Sequence, residues 1–314
     1  MKIKLYTHLS DIDGLGCAVL AKLAFVDPVI HLCDYTAINE IILDDFFNGE
    51  FDKYDKIFIT DLSVKYKTAA LLNVDDSVHD KLVLLDHHAS AIEKEMNNFD
   101  FVNVKVKDGD RLTCGTEMFY KYLLENKLLY PTEARNQFVE LTRLHDTYEW
   151  KNYMYREKAN KLAQFLAATW PSNYIETMTD KLANHYDFVK FTLHEKEIIE
   201  SYHNALQSQL VESVNNLKAI AFFDTIIGVA NIDYAHRNEL AQFCRDNNVP
   251  VDVIAIPDFK RGTCSFRDIK PFSTSKEIAE HFGGGGHVSA AACNLTPKLC
   301  KTLNISNEDE QIME

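Results

Sequence analysis

The chain has 314 residues, 46% of them hydrophobic and 25% charged. That is a globular composition: it excludes disorder, collagen and coiled coil as descriptions of the whole chain, and the length fits two domains. A net charge of −14, from 33 basic against 47 acidic residues, excludes a broad duplex-binding face, because an acidic surface repels nucleic acid.

Seven scattered cysteines with no Cys-x-x-Cys pair argue against a disulfide framework or zinc ribbon and point to a reducing, cytoplasmic compartment. No run of 18 apolar residues is present to span a membrane. The opening Met1-Lys-Ile-Lys-Leu-Tyr-Thr-His8 lacks the apolar core of a signal peptide and reads as a first strand, 3–8. A helix is expected at 14–25, a strand at 29–33, a helix at 37–47, a strand at 56–60, a helix at 64–73 and a strand at 81–85. Short apolar runs separated by helices are the signature of a buried parallel sheet built from βαβ units. Residues 113–186 read as mostly helical, with apolar residues spaced by three and four at 117–124 and 134–144. Residues 187–214 form a charged helical stretch without Pro or Gly, the expected connector.

A smaller unit follows. It is expected to hold a hairpin at 219–223 and 226–230 turning at Asp224-Thr225, and a helix at 235–247. Strands are expected at 251–256 and 263–267, then a helix at 275–281 with Ser275 near its N-cap. Four glycines, 283–286, and His287 come next, followed by the small-residue run 289–293. The fold class is therefore α/β: a parallel-sheet domain with helices on both faces (1–186), a helical linker (187–216) and a smaller α/β domain (217–314). Residues 1–216 carry a net −11 and residues 217–314 only −3, so the first part is the better place for cations and the second for anions.

Acidic and histidine residues stand just after the expected strands: His8, Asp11 and Asp13 after the first, Asp61 after the third, Asp86-His87-His88 after the fourth. His145-Asp146 follows at a helix end. In a parallel sheet the first three groups share one edge, where ligands bind. Bare carboxylates packed together repel, and divalent metal removes the conflict. Asp-x-Asp on a tight turn can face two ions. Mixed Asp/His ligation without thiolate suits Mn²⁺, and also Mg²⁺, Co²⁺ or Zn²⁺. Two such ions, about 3.5–4 Å apart, activate a water and clamp a phosphate. Each element has a plainer reading: Asp61 as a helix N-cap, Asp11 and Asp13 as a turn, the glycines as a hinge, His145 as structural, Trp150 and Trp170 as core or interface, the cysteines as small buried hydrophobes.

The set Asp11-x-Asp13-Gly14, Asp61, Asp86-His87-His88 and Asp146 resembles the DHH phosphoesterase superfamily. Gly283-Gly-Gly-Gly-His287, with Arg267 upstream in Ser-Phe-Arg, resembles its associated substrate domain, DHHA1. Within the superfamily the chain is most similar to the RecJ-related short-substrate branch, and there to the oligoribonucleases of the nanoRNase B group. His8 stands three residues before Asp11, where many relatives have four.

The resemblance implies that Asp11 and Asp13 each ligate a metal, that Asp61 bridges two metals, and that His87 and Asp146 complete the second site and His8 the first. It implies that His88 contacts the scissile phosphate, that Asp86 orients the histidines, and that Arg267, Gly284, Gly285, Gly286 and His287 bind substrate. Backbone N–H groups of the glycines, and a helix begun by the 289–293 run, are expected to favour its phosphate. The expected activity is manganese-dependent two-metal hydrolysis of short oligoribonucleotides to mononucleotides. The alternatives are a pAp or cyclic-nucleotide phosphatase, an exopolyphosphatase-like hydrolase, and a catalytically silent nucleotide-binding protein. The expected partner is a short oligonucleotide or small nucleotide phosphate, with no long duplex and no membrane.

Overall fold

The structure, a computed structural model, describes residues 1–149, 156–184, 190–271 and 274–305, the side chains of residues 76, 93, 156 and 157 excepted. It divides into two compact units, Met1–Glu200 and Ser201–Glu314. Trp150 lies outside the described residues. Among those described, no helix is long and apolar enough to cross a membrane.

The first unit carries strands β1 (Ile3–His8), β2 (Val29–Cys33), β3 (Lys56–Thr60), β4 (Leu82–Asp86) and β5 (Val102–Val104), and a two-residue hairpin of β6 (Lys107–Asp108) and β7 (Arg111–Leu112). Its helices are α1 (Ile12–Ala24), α2 (Ile38–Phe47), α3 (Tyr66–Asn73), α4 (Asp76–His79), α5 (Ala89–Glu93), α6 (Gly115–Glu125), α7 (Glu133–Asp146), α8 (Arg156–Ala167) and α9 (Pro171–Ala183). The five long strands form one parallel sheet in the order β2-β1-β3-β4-β5.

Alternate residues of each strand enter two separate cores. Leu5, Phe58 and Leu85 pack with α1, α6, α7, α8 and α9. Tyr6, Ile57, Ile59 and Leu84 pack with residues of α2, α3 and the 96–104 segment. Helices therefore cover both faces, which is why these strands read as nearly continuous apolar runs. The chain leaves β1 toward β2 and later returns to β1's other side as β3. That reversal makes the carboxyl ends of β1 and β3 a topological switch point, where the sheet opens a crevice.

Two local differences from the sequence reading matter. Helix α1 begins at Ile12, not 14, because the Asp11 side chain accepts the Gly14 N–H and caps it. Asp13 is thus inside the first helical turn and not on a free turn. Strand β5 has only three residues, too few to leave a period in the sequence.

Helix α10 (Leu193–Asn215) leads into the second unit. That unit holds β8 (Lys218–Phe222), β9 (Thr225–Val229), α11 (Arg237–Asp246), β10 (Val253–Asp258), β11 (Thr263–Asp268), α12 (Ser275–His281), β12 (Gly285–His287), β13 (Ala290–Asn294) and α13 (Pro297–Thr302). The sheet order is β12-β13-β11-β10-β9-β8; β9 and β10 pair in parallel and the other pairs are antiparallel. The β8–β9 turn is Phe223-Asp224, since Phe222 pairs with Thr225, and Phe223 takes the left-handed backbone at φ +50°. Thr274 is the N-cap of α12; Ser275 instead donates both its N–H and its hydroxyl to Asp268.

The 289–293 run is also corrected. It forms β13, not a helix, because its alanines sit against the glycines of β12. A Cβ on Gly284 would lie 2.1 Å from the Ala292 carbonyl, and one on Gly286 would lie 2.5 Å from Ala291 Cα. Gly284 and Gly286 are therefore packed against β13, whereas Gly283 and Gly285 have open space where a Cβ would lie. Trp170 is 77% exposed at the start of α9, so it is not a core residue. Six of the seven cysteines are buried, as small hydrophobes should be, and Cys300 is half-buried.

Candidate metal centre

The carboxyl ends of β1, β3 and β4 deliver His8, Asp61 and Asp86-His87-His88 to one edge of the sheet. Helix α1 adds Asp11 and Asp13, and the end of α7 adds Asp146. Two groups of potential ligand atoms form there, His8, Asp11 and Asp61 in one and Asp13, His87 and Asp146 in the other. A third combination, Asp61, His87 and His88, overlaps them. His145 belongs to none of the three.

The distances are short for so many acids. His87 Nε2 is 3.2 Å from Asp61 Oδ1, 3.6 Å from Asp13 Oδ2 and 3.6 Å from Asp146 Oδ2. His8 Nδ1 is 2.7 Å from Asp11 Oδ2 and 4.0 Å from Asp61 Oδ2. Asp61 thus presents one oxygen to each group. It is 1% exposed, its Oδ2 has no hydrogen-bond partner, and its backbone is left-handed at φ +56°. A strained backbone carrying a buried, unpartnered carboxylate oxygen is costly on both counts. Such an arrangement persists when the site needs that side chain in that place. The donor set is oxygen and imidazole nitrogen, and it fits divalent cations that accept both.

The electrostatics agree. Burial, followed by the charges of Asp13 and Asp11, pushes the Asp61 carboxyl well above its ordinary value. The same causes, joined by Asp86, raise Asp146 to about 9. Asp13 is handled differently. It is fully buried, and its two oxygens accept the N–H groups of Gly115 (2.6 Å) and Thr116 (2.7 Å) at the start of α6. The Thr116 hydroxyl binds the Asp13 carbonyl (2.5 Å). The positive end of a helix is thereby aimed at the carboxylate.

A fourth acid, Asp86, stands behind the histidines. Its Oδ1 accepts from His88 Nδ1 (2.7 Å) and from the His87 N–H (2.8 Å), and its Oδ2 accepts from the Ser63 hydroxyl. Burial opposes charge on Asp86, but the His88 bond and charge and the Ser63 bond outweigh it and hold the carboxyl below the usual range. Burial lowers and Asp86 raises the His88 imidazole, and the net direction is upward. Cys17 and Cys114 lie beneath the cluster with thiols raised by burial and then by Asp13. They stay protonated and offer no thiolate.

These shifts set a pH dependence for the metal-free protein. Above about pH 4 an unfolded Asp146 is ionised, whereas the folded one keeps its proton until about pH 9. The unfolded state then binds fewer protons, so stability falls as pH rises through that window. A divalent cation replacing the proton is bound more tightly at higher pH. The melting temperature without metal is expected to fall from about pH 6 to pH 8.5. Mn²⁺ at one fixed concentration, about 100 times its Kd at pH 6, is expected to add about 2.7 kcal/mol there, roughly 5–10 °C, and more at the higher pH, where its Kd is lower. Differential scanning fluorimetry with and without Mn²⁺ measures this; a rise that shrinks with pH would contradict it.

In the second unit Arg267 and His287 both pair with Ala290, on either side of it. Directly opposed residues share a sheet face, so the two basic side chains stand in one row on one face. Arg267 Nε donates to Asn238 (2.9 Å). Gly285 has open space where a Cβ would lie. Gly284 differs from expectation: its N–H is bonded to the Ala279 carbonyl (2.8 Å), so that donor is already committed to the end of α12.

Sequence reasoning missed four residues here: Tyr35, whose hydroxyl is 3.0 Å from His88 Nε2, Ser63, Gly115 and Thr116. Only Cys114-Gly-Thr-Glu117 carried a signal, as a helix start with an acid three residues on.

No family model matches the chain. Among curated proteins it is 31% identical over 299 residues to oligoribonuclease NrnB of Bacillus subtilis (strain 168), covering 94% of this chain and 73% of the relative. Among solved structures it is similar to exonuclease RecJ bound to manganese (TM-score 0.57, 12% identity, 96% of this chain and 88% of that one). It is also similar to the pGpG-specific phosphodiesterase PggH from Vibrio cholerae (TM-score 0.54, 15% identity, 100% and 99%). The two structural likenesses carry the fold. The identity to NrnB, sustained across most of both chains, shows the family: the chain belongs to the DHH phosphoesterases and is a hydrolase of the NrnB group.

Proposed function

We propose that the chain is a divalent-metal-dependent phosphodiesterase that hydrolyses short oligoribonucleotides to mononucleotides. The observation that carries this reading is the pair of ligand groups on either side of Asp61, which turns one oxygen to each and keeps Oδ2 buried without a hydrogen-bond partner. In this reading His8, Asp11 and Asp61 hold one cation and Asp13, His87, Asp146 and Asp61 hold the other, with manganese expected from the mixed oxygen and nitrogen donors. Cations there supply the positive charge that acidifies a water and neutralises charge growing on the phosphoryl oxygens.

The protein's own residues do the rest. Asp86 fixes the ring of His88 through Nδ1, and His88 Nε2, 3.0 Å from the Tyr35 hydroxyl, is assigned in this reading to the scissile phosphate. Asp13, locked by two backbone N–H groups, cannot swing away when a second charge arrives beside it. Arg267 and His287 are assigned to a substrate phosphate in the second unit, Arg267 as a bidentate donor. A short RNA fits the absence of a long basic track in the sequence, and the relative NrnB is itself named an oligoribonuclease.

The test is a substrate panel with Mn²⁺: labelled RNA of two to five nucleotides, short DNA, pAp, a cyclic dinucleotide and polyphosphate. Mononucleotide release from the short RNA, at a kcat/KM at least tenfold above the others, is expected. Hydrolysis confined to another member of the panel would overturn the substrate assignment.

A further inference from the structure

Tyr35 follows β2 in the turn that leads to α2, at the same edge of the sheet as the ligand groups. Its hydroxyl lies 3.0 Å from His88 Nε2. Its ring is centred 4.5 Å from the His8 ring and stands edge-on to the His88 ring at 5.4 Å. One phenol therefore touches both the histidine of the first ligand group and the histidine assigned to the phosphate. Yet the side chain is 44% exposed, so it is no core residue.

Hydrogen counting gives the phenol a task. The Asp86 carboxylate accepts at 2.7 Å from His88 Nδ1, so that nitrogen carries a hydrogen. If the imidazole is neutral, Nε2 has none and accepts from Tyr35. A phosphoryl oxygen, which can only accept, then finds its donor in the phenol once the single O–H turns to it from Nε2. If the imidazole is protonated, Nε2 donates to the phosphoryl oxygen or to the phenol oxygen, and the phenol still has its own hydrogen to give. In both states the O–H of Tyr35 can turn outward to an acceptor that reaches the outer end of His88.

We propose that Tyr35 is a catalytic residue that donates its phenolic hydrogen to a non-bridging oxygen of the scissile phosphate, beside His88. This rests on the reading of His88 as the phosphate contact. The donor acts where charge accumulates during attack, so its contribution belongs to the transition state more than to ground-state binding. The ring's contact with His8 fixes the direction of the hydroxyl, which a lysine or serine at this position could not reproduce.

The experiment compares the wild type with Tyr35→Phe, which keeps the ring and deletes one O–H. Both are assayed with Mn²⁺ on a diribonucleotide and on its two phosphorothioate diastereomers. The expected result is a kcat about 10- to 100-fold lower in the variant, with KM changed less than about threefold. One diastereomer should also show a smaller oxygen-to-sulfur rate ratio in the variant, because the deleted bond no longer distinguishes the two atoms. A kcat within twofold of wild type overturns the proposal. So does a lower kcat with both sulfur ratios unchanged, since a merely structural effect slows all three substrates alike. If the wild type leaves the diribonucleotide intact, the short-RNA reading fails instead, and the same comparison is made on whichever phosphoester of the panel it hydrolyses. A wild type that hydrolyses none of them overturns both. Melting temperatures of the two proteins, with and without Mn²⁺, are expected to agree and exclude misfolding.

Discussion

Asp61→Asn is expected to lose about 10³-fold or more in kcat, at least 4 kcal/mol of transition-state stabilisation, without loss of the fold. The change removes one negative charge whose two oxygens face the two ligand groups, Oδ2 toward His8 and Oδ1 toward His87. It leaves size and shape almost unaltered, and asparagine tolerates the left-handed backbone that residue 61 adopts at φ +56°. Without metal, the wild-type side chain sits buried among Asp11, Asp13 and Asp146 with Oδ2 unpartnered. An amide carries no charge to be repelled there and can donate to those neighbours. The variant should therefore melt at or above the wild-type temperature in chelator and gain little when Mn²⁺ is added. Activity within tenfold of wild type, or a metal-induced rise in melting temperature equal to that of the wild type, would show that Asp61 is not a shared ligand.

Gly115→Ala is expected to damage both stability and activity, through backbone and not through charge. A Cβ at this position would lie 2.7 Å from Asp61 Cβ, 3.0 Å from Asp61 Cα and 3.1 Å from Asp13 Oδ2. Two of these atoms belong to a residue whose backbone is already constrained, so the start of α6 must give way. Overpacking of this kind costs about 1–3 kcal/mol, or roughly 2–10 °C for a unit of this size. Displacing the Gly115 and Thr116 N–H groups by even part of an ångström also loosens Asp13. A loss of about 10²-fold in kcat/KM is expected from misplacement alone. Thermal melts and steady-state kinetics read the two effects separately. An unchanged kcat/KM would mean that the tie between α6 and Asp13 has no bearing on catalysis.

Strands β1, β3 and β4 were legible because each is buried on both faces and shows as a short apolar run between helices. The candidate ligands were legible for a related reason: each group follows a strand, and a parallel sheet brings such positions to one edge. What lay outside the sequence reading is non-local. Asp13 is bonded to residues 102 and 103 positions later, so nothing near Gly115 and Thr116 in the chain announces their partner. Tyr35 follows β2 and Asp34, which belong to none of the motifs, and only the pairing of β2 beside β1 brings it to His8 and His88. The 289–293 run suggested a helix because alanine favours one, and pairing with the glycine strand decided otherwise. The position of Asp11 as the cap of α1 was missed because Gly14 drew the expected helix start two residues too late.

The bond between Asp13 and the start of α6 also constrains the order in which the chain can mature. All five strands of the parallel sheet have been made by Val104, but the amides that neutralise Asp13 arrive only at Gly115 and Thr116, and Asp146 arrives with the last residue of α7. A nascent chain that has emerged only as far as β5 lacks these amides and must leave the Asp13 carboxylate to water, because burying it unpaired is too costly. The sheet therefore cannot close its crevice until α6 docks, and a ribosome-stalled fragment ending before residue 115 should remain protease-sensitive although every strand is present.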